Sequence, residues 1–515
     1  MPRGALSAIG AAAVLSIALT SCSSSSGPAT STGATGKSGG ALVVGVTSDP
    51  DTLFPWKATQ FTAVNVLQNI YGTLTEFDKD LNVVPGLAES WQAAEDGRKL
   101  TLTLRKGVTF GDGSAFDSKD VKASLEKIMD EKTAAVARAS LASVKSVEAP
   151  DESTVVLELT GPDAALPANL ATVNMAMLSS DDTEEKLNAT PNGTGPFTLG
   201  KRVPSQSLTL ARNDKYWGAE KPKVSSVEFR VIPDESSIVS AMQSGNVQLA
   251  VFNDPLVAQT AQGGGTITVT KTPQLSYHAL QLNAQRGDLK DVNVRLAIQC
   301  AIDRKQVLDT AALGEGEVTG PITAPAFKSD PAKRPCPARD LAKAAEYLGK
   351  AGKSGGVTVK AIVSQGEYAT SVNEAQNLKA QLAEAKITLD LEVLESGAFV
   401  DRWVAADFDA AVALNGGRPD PDGSYGRYFT SKGNLNKVAG YSSPELDKLF
   451  AEGKATTDPA ARKAIYEKVS AELEANAPWI WLFTSYTYTG TTSNVSGFVP
   501  MVSGSLQYLR TTSVA

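Results

Sequence analysis

Leu100, Leu102 and Leu104 interleave with Thr101, Thr103 and Arg105, the period of a strand with one buried face. Gly111-Asp112-Gly113 follows as turn chemistry. Val121, Leu125 and Ile128 then recur at helical spacing behind Asp117 or Ser118, either of which suits a helix N-cap. The same two periods return along the chain. ALVVGV from Ala41, Thr154 to Leu159 and Phe408 to Leu414 read as strands. Helical faces run through Val294, Ala297, Ile298, Ala301 and Ile302 behind Asp291, and through Leu341, Ala344, Ala345 and Leu348 behind Asp340. Another runs through Ile465, Val469 and Leu473 behind Asp458-Pro459, and Pro478 stops it. Strands interspersed with helices in this way predict an α/β protein.

The start of the chain follows a different pattern. Arg3 precedes an apolar run from Ala5 to Leu19, an export-signal layout too short for a bilayer span of roughly 20 residues. Residues 1–21 therefore read as a signal peptide. Leu19-Thr20-Ser21-Cys22 resembles a bacterial lipobox, which implies that Cys22 becomes the lipidated first residue of the mature chain. The alternative is an ordinary secretory signal with an incidental cysteine. Ser, Gly, Thr and Ala dominate up to Gly40, so 22–40 is expected to be a flexible tether. The expected location is the outer face of the cytoplasmic membrane, in the periplasm or cell-wall space.

Composition narrows the partners. With 42% hydrophobic and 20% charged residues, the chain is ordinary for a globular protein. A net charge of −7 and the lack of a basic run argue against nucleic acid. Cys300 lies in a helical run and Cys336 in Pro335-Cys336-Pro337. In an oxidising compartment they could form a disulfide or remain a buried helix thiol and a separate loop thiol, since bridging depends on geometry. The one histidine, His278, and distant cysteines cannot make a common zinc site. No metal and no cofactor is expected. A hydrolase would need a nucleophile with a base, or paired carboxylates. Only His278 could serve as an imidazole base, the many acidic residues show no catalytic spacing, and an enzyme is not expected.

Several separated motifs share one resemblance. AESW, LRKGVTF and DGSAFDSKDV stand within 88–121, and GTGPF within Gly193–Phe197. Arg212-Asn213-Asp214-Lys215-Tyr216-Trp217 follows, then Asn283, Asp291, Val294-Arg295 and Ala301-Ile302-Asp303-Arg304. In this order they resemble the extracellular solute-binding proteins of the peptide/nickel class, which serve ATP-driven importers; the likeness covers roughly 41–490. It implies a two-lobed periplasmic-binding-protein-like α/β fold of the large class II type, with an extra subdomain in the first lobe. The expected division is 41–273 plus 490–515 for lobe I, its extra subdomain at about 86–190, and 274–489 for lobe II. Closure would hinge near 273–283 and 484–490.

Ligands favour clefts between lobes, and the informative loop is Leu414 to Tyr425. In peptide-binding relatives this loop resembles W-x-x-D-x-x-D-P, whose first Asp pairs with the peptide ammonium. Asp420-Pro421 keeps the later pair, but Gly417 stands at the ammonium-binding position and Leu414 at the Trp. Either Asp420 or Asp422 replaces the missing carboxylate, or the ligand is not an ordinary peptide. Arg418 suits a carboxylate or phosphate; the alternative for all three is a locally bonded surface turn. Tyr277, Tyr425 and Tyr486 are further ligand-binding candidates, against a reading as packed side chains. The GTGPF glycines could serve a ligand or a tight turn.

The resulting expectation is a monomeric, lipid-anchored receptor that captures a small solute, foremost a peptide or peptide-like compound, and delivers it to ABC permease subunits. The alternatives are a receptor for a metal chelate or an oligosaccharide, for which Trp56 and Trp403 could supply a platform, or a carboxylate-dependent hydrolase.

Overall fold

A computed structural model describes residues 39–365, 368 and 370–515. The signal segment, Cys22 and nearly all of the tether lie outside the described residues. Among the described residues, no helix is long and apolar enough to cross a membrane.

The molecule is organised around one strand, Trp479–Thr492. Its first part pairs antiparallel with Tyr277–Leu282, and its last part pairs with Leu249–Phe252 and Ile267–Pro273. It thereby unites a twelve-stranded sheet. On one side the order continues through Ala410–Asn415, Val357–Gln365 and Ile387–Glu395. On the other it continues through Ala41–Val46, Ser226–Val231, Ser207–Arg212 and Phe197–Val203. Parallel pairs such as Ala41–Val46 with Ser226–Val231, and Val357–Gln365 with Ile387–Glu395, give each side an α/β character.

A separate four-stranded antiparallel sheet, in the order Ala88–Ala93, Lys99–Leu104, Thr154–Leu159, Val144–Asp151, carries the alternating leucines. Leu100, Leu102 and Leu104 are buried with Val155 and Leu157, under Val121, Leu125 and Ile128 of the helix Ser118–Met129. Asp117 caps that helix in a reciprocal capping box with Asp120.

Other helix starts obey the same chemistry. Asp291, Asp340 and Asp458 each accept a backbone N–H of their first turn. The helix Val292–Ala301 is buried from Val294 through Ala301, all round rather than on one stripe. Ala345 departs from the predicted face: Ala344 and Leu348 are buried, whereas Ala345 is exposed. Cys300 and Cys336 are bonded to each other.

The GTGPF turn has a structural explanation. A Cβ on Gly193 or Gly195 would fall 2.1 or 2.5 Å from the carbonyl oxygen of Ile70, so both glycines allow the turn to lie directly against the chain after the helix Phe61–Leu67.

Candidate functional site

Tyr277–Leu282 is buried along its whole length, with its side chains divided between two cores. Leu280 and Leu282 join Ile480 and Leu482 in one, and Tyr277 and Ala279 join Trp479 and Trp481 in the other. Beside the N-terminal end of this strand, where Gln274, Leu275 and Ser276 cross towards Trp479–Thr492, lies a cleft of about 500 Å³, within the usual size of small-molecule sites.

Its walls come from distant parts of the chain. The helix Phe61–Leu67 and the residue after it contribute Phe61, Val64, Asn65 and Gln68. Phe77, Ala171–Asn174 and Asn253 add to that side. Gly416, Gly417 and Pro419 face them, and Met501 to Ser505 with Gln507 close one end.

Polar groups in the wall are amides and hydroxyls, many of them fixed. The Asn65 Oδ1 accepts from Leu506 N–H at 2.9 Å and from Gln68 Nε2 at 2.5 Å. Its Nδ2 is buried and has no partner within the protein. Gln507 donates to the Phe77 carbonyl at 2.5 Å, and Ser505 donates to Gln68 at 2.9 Å. Asn174 donates to Pro55 and Ala58 carbonyls at 2.8 and 2.9 Å. No Asp, Glu, Lys, Arg or His is among the described residues that line the cleft.

The charged loop residues lie elsewhere, and the side chains expected to bind ligand are not brought together at this wall. Asp420 is buried in a bidentate pair with Arg462, with contacts of 2.6 and 3.0 Å. Burial opposes the Arg462 charge, but the hydrogen bonds and charge of Asp420 outweigh it and raise the guanidinium pKa. Asp420 is thus committed inside the protein. Asp422 faces Lys454 at 3.4 Å, and burial raises its carboxyl to about 6 against the partial offset of Lys454. Arg418 is exposed beside this wall, with its backbone N–H bonded to Ser424 Oγ at 2.9 Å. Although the residue as a whole is exposed, partial desolvation of its guanidinium end, with the neighbouring Arg427, lowers its pKa.

The tyrosines also belong to packing. Tyr277 and Tyr425 stack with ring centroids 5.7 Å apart. The Tyr425 hydroxyl donates to the Pro321 carbonyl, and burial raises both phenols. Tyr486 is half-buried, its hydroxyl 3.4 Å from Glu317. None of Tyr277, Tyr425, Tyr486, Arg418, Asp420 and Asp422 lines the cleft. The tryptophans do not line it either: buried Trp56 donates to Ala176 O at 2.9 Å, and Trp403 donates to Gln281 at 2.6 Å.

The backbone explains the glycine at 417. A Cβ there would fall 2.0 Å from the carbonyl oxygen of Leu275. The crossing segment occupies the space from which a side chain at this position would project.

His278 has partners on both ring nitrogens. Its Nε2 is 3.0 Å from Ser485 Oγ, and its Nδ1 is 2.9 Å from Glu374 without directed hydrogen-bond geometry. The order Ser–His–Glu is that of a hydrolytic relay. The imidazole, however, is buried, stacks on Phe483 at 4.2 Å between centroids and meets Tyr368 edge-on at 5.2 Å. None of the three relay residues lines the cleft. Among the described residues, no group of three or more His, Cys, Asp or Glu is placed to hold a metal ion.

Phe61, Val64, Asn65 and Gln68 went unnoticed in the sequence. Their i, i+3, i+4, i+7 spacing, an apolar face broken by amides, was a usable signal. The Met501–Gln507 wall carried none.

Comparison with known proteins agrees with this architecture. The chain is 25% identical over 480 residues to the glutathione-binding protein GsiB of Escherichia coli (strain K12), covering 89% of this chain and 91% of that one. It is 29% identical over 471 residues to a probable di/tripeptide-binding protein 5 of Pseudomonas aeruginosa, covering 85% and 88%. Among solved structures it resembles the periplasmic binding protein DppA of Helicobacter pylori in complex with the peptide STSA. That likeness has a TM-score of 0.73 at 26% identity, covering 93% of this chain and 98% of that one. These relatives are solute-binding proteins, not enzymes, and the fold shared with them is the two-lobed α/β one. The model described as bacterial extracellular solute-binding proteins, family 5 Middle, matches residues 82–436, and the chain belongs to that family.

Proposed function

We propose that this chain is the lipid-anchored receptor of an ABC importer, capturing a small peptide-like solute and handing it to permease subunits in the membrane. The observation that carries this reading is the cleft of about 500 Å³ beside the two crossing segments, walled by residues from 61 to 507. Such a site joins parts of the chain that can move relative to one another. The glutathione and di/tripeptide binding named for two relatives supports a peptide-like cargo.

In this reading, lobe I is 41–273 with 490–515, its extra subdomain is about 86–190, and lobe II is 274–489. Ligand contacts with both lobes favour the closed arrangement, because only differential affinity shifts such an equilibrium. Cys22 carries the lipid, and 22–40 lets a monomeric body reorient near the outer face of the membrane.

Small-angle scattering with and without a ligand identified by mass spectrometry of co-purifying compounds tests the mechanism. Compaction on saturation is expected, and identical profiles would overturn closure. Cys22→Ser should release the protein from the membrane fraction, and retention there would remove the anchor.

A further inference from the structure

We propose that the cleft selects an uncharged solute, one that offers hydroxyl or amide oxygens beside an apolar face and places no ammonium or carboxylate inside. This rests on the receptor reading and specifies its cargo. A peptide with blocked or cyclised termini and a neutral glycoside share this chemistry.

No charged side chain is among the described residues that line the wall. An ion taken into it would lose its hydration without gaining a counter-ion. Two neighbouring carboxylates are already paired: Glu76, next to Phe77, with Arg510 at 2.8 Å, and Asp420, next to Pro419, with Arg462; Arg418 and Asp254 adjoin the wall in sequence but are not among its lining residues. A carboxylate cannot be supplied from position 417, where the Leu275 carbonyl blocks any side chain.

What the wall does offer is neutral and directional. Asn65 is oriented by the Leu506 N–H that its Oδ1 accepts, so its buried, partnerless Nδ2 is a donor lacking an acceptor. Asn253 presents an exposed carboxamide that makes no hydrogen bond within the described protein. Phe61, 51% exposed, and Phe77 supply the apolar face.

Calorimetry with purified protein tests this using zwitterionic Leu-Leu, its N-acetyl amide, cyclo(Leu-Leu) and cellobiose. At least one neutral probe is expected to bind about tenfold or more tighter than Leu-Leu. Its affinity should hold between about 0.05 and 0.5 M salt, because no ion pair forms. Cyclo(Leu-Leu) against cellobiose separates the peptide from the glycoside source.

Asn65→Ala should weaken the neutral probe about tenfold, and Arg418→Ala should leave it unchanged. Gly416, where a Cβ meets nothing within 4 Å, accepts a side chain, so Gly416→Asp should reverse the preference towards Leu-Leu. Tighter binding of Leu-Leu than of its blocked forms, or binding of none of the neutral probes, would overturn the inference. Compaction in scattering upon Leu-Leu binding would overturn it while leaving the receptor reading in place.

Discussion

Arg462 holds Asp420 through two hydrogen bonds, of 2.6 and 3.0 Å, with both side chains buried. Removing either partner leaves an uncompensated charge inside the protein. Asp420→Ala and Arg462→Ala are each expected to destabilise folding by about 3–5 kcal/mol. The double variant should lose less than the sum, which a double-mutant cycle in denaturant would read. Additive losses would contradict a coupled pair.

Gly417 and Gly416 are neighbours with opposite tolerances. Gly417→Ala drives a Cβ against Leu275 O and should cost about 1–3 kcal/mol, with weaker ligand binding as the crossing segment shifts. Gly416→Ala, with open space around it, should stay within about 0.5 kcal/mol of the parent. Thermal unfolding and calorimetry on the two variants would check this.

Asp422 should make stability fall as pH rises. Burial lifts its carboxyl from 3.8 to about 6, so the folded state holds the proton more tightly than the unfolded chain does. The favourable contribution is complete below pH 4 and is lost as pH rises through about 6. Asp422→Asn should therefore match the parent near pH 4 and exceed it at pH 8, by about 2 kcal/mol. Denaturant midpoints across that range provide the measurement; a variant less stable at pH 8 would show that the Lys454 pairing dominates.

The Cys300–Cys336 bond closes a loop between residues 36 apart in sequence. Paired replacement by serine should lower stability by about 3–4 kcal/mol on the chain-entropy view. Reductant should shift the parent towards the variant and leave the variant unmoved.

Local chemistry was the legible part of the sequence. Asp117, Asp291, Asp340 and Asp458 cap helices because a short carboxylate beside a helical period needs no distant partner. Alternation in Leu100–Leu104 likewise declared its buried face. The site was less legible, because its wall is assembled from segments hundreds of positions apart. Charge is not read from sequence alone either: Asp420 reads as a ligand candidate, while the partner it meets in the fold, Arg462, sits in a distant helix. In the same loop, Gly416, Gly417 and Pro419 reach the wall while Ser424 and Tyr425 turn inward. No periodicity distinguishes those two fates.

The strand Trp479–Thr492 has a mechanical consequence. Thr484 donates its hydroxyl hydrogen towards Gln274 O and Ser276 O, at 2.6 and 2.7 Å, and the pairing slips register between His278 and Ala279. A continuous backbone clamped on both sides cannot slide or come apart without breaking its ladder. It can twist where the register is already irregular. Movement of the two sides is therefore expected to behave as a torsion bar, its swing set by a few peptide units around Leu482, between Trp481 and Phe483.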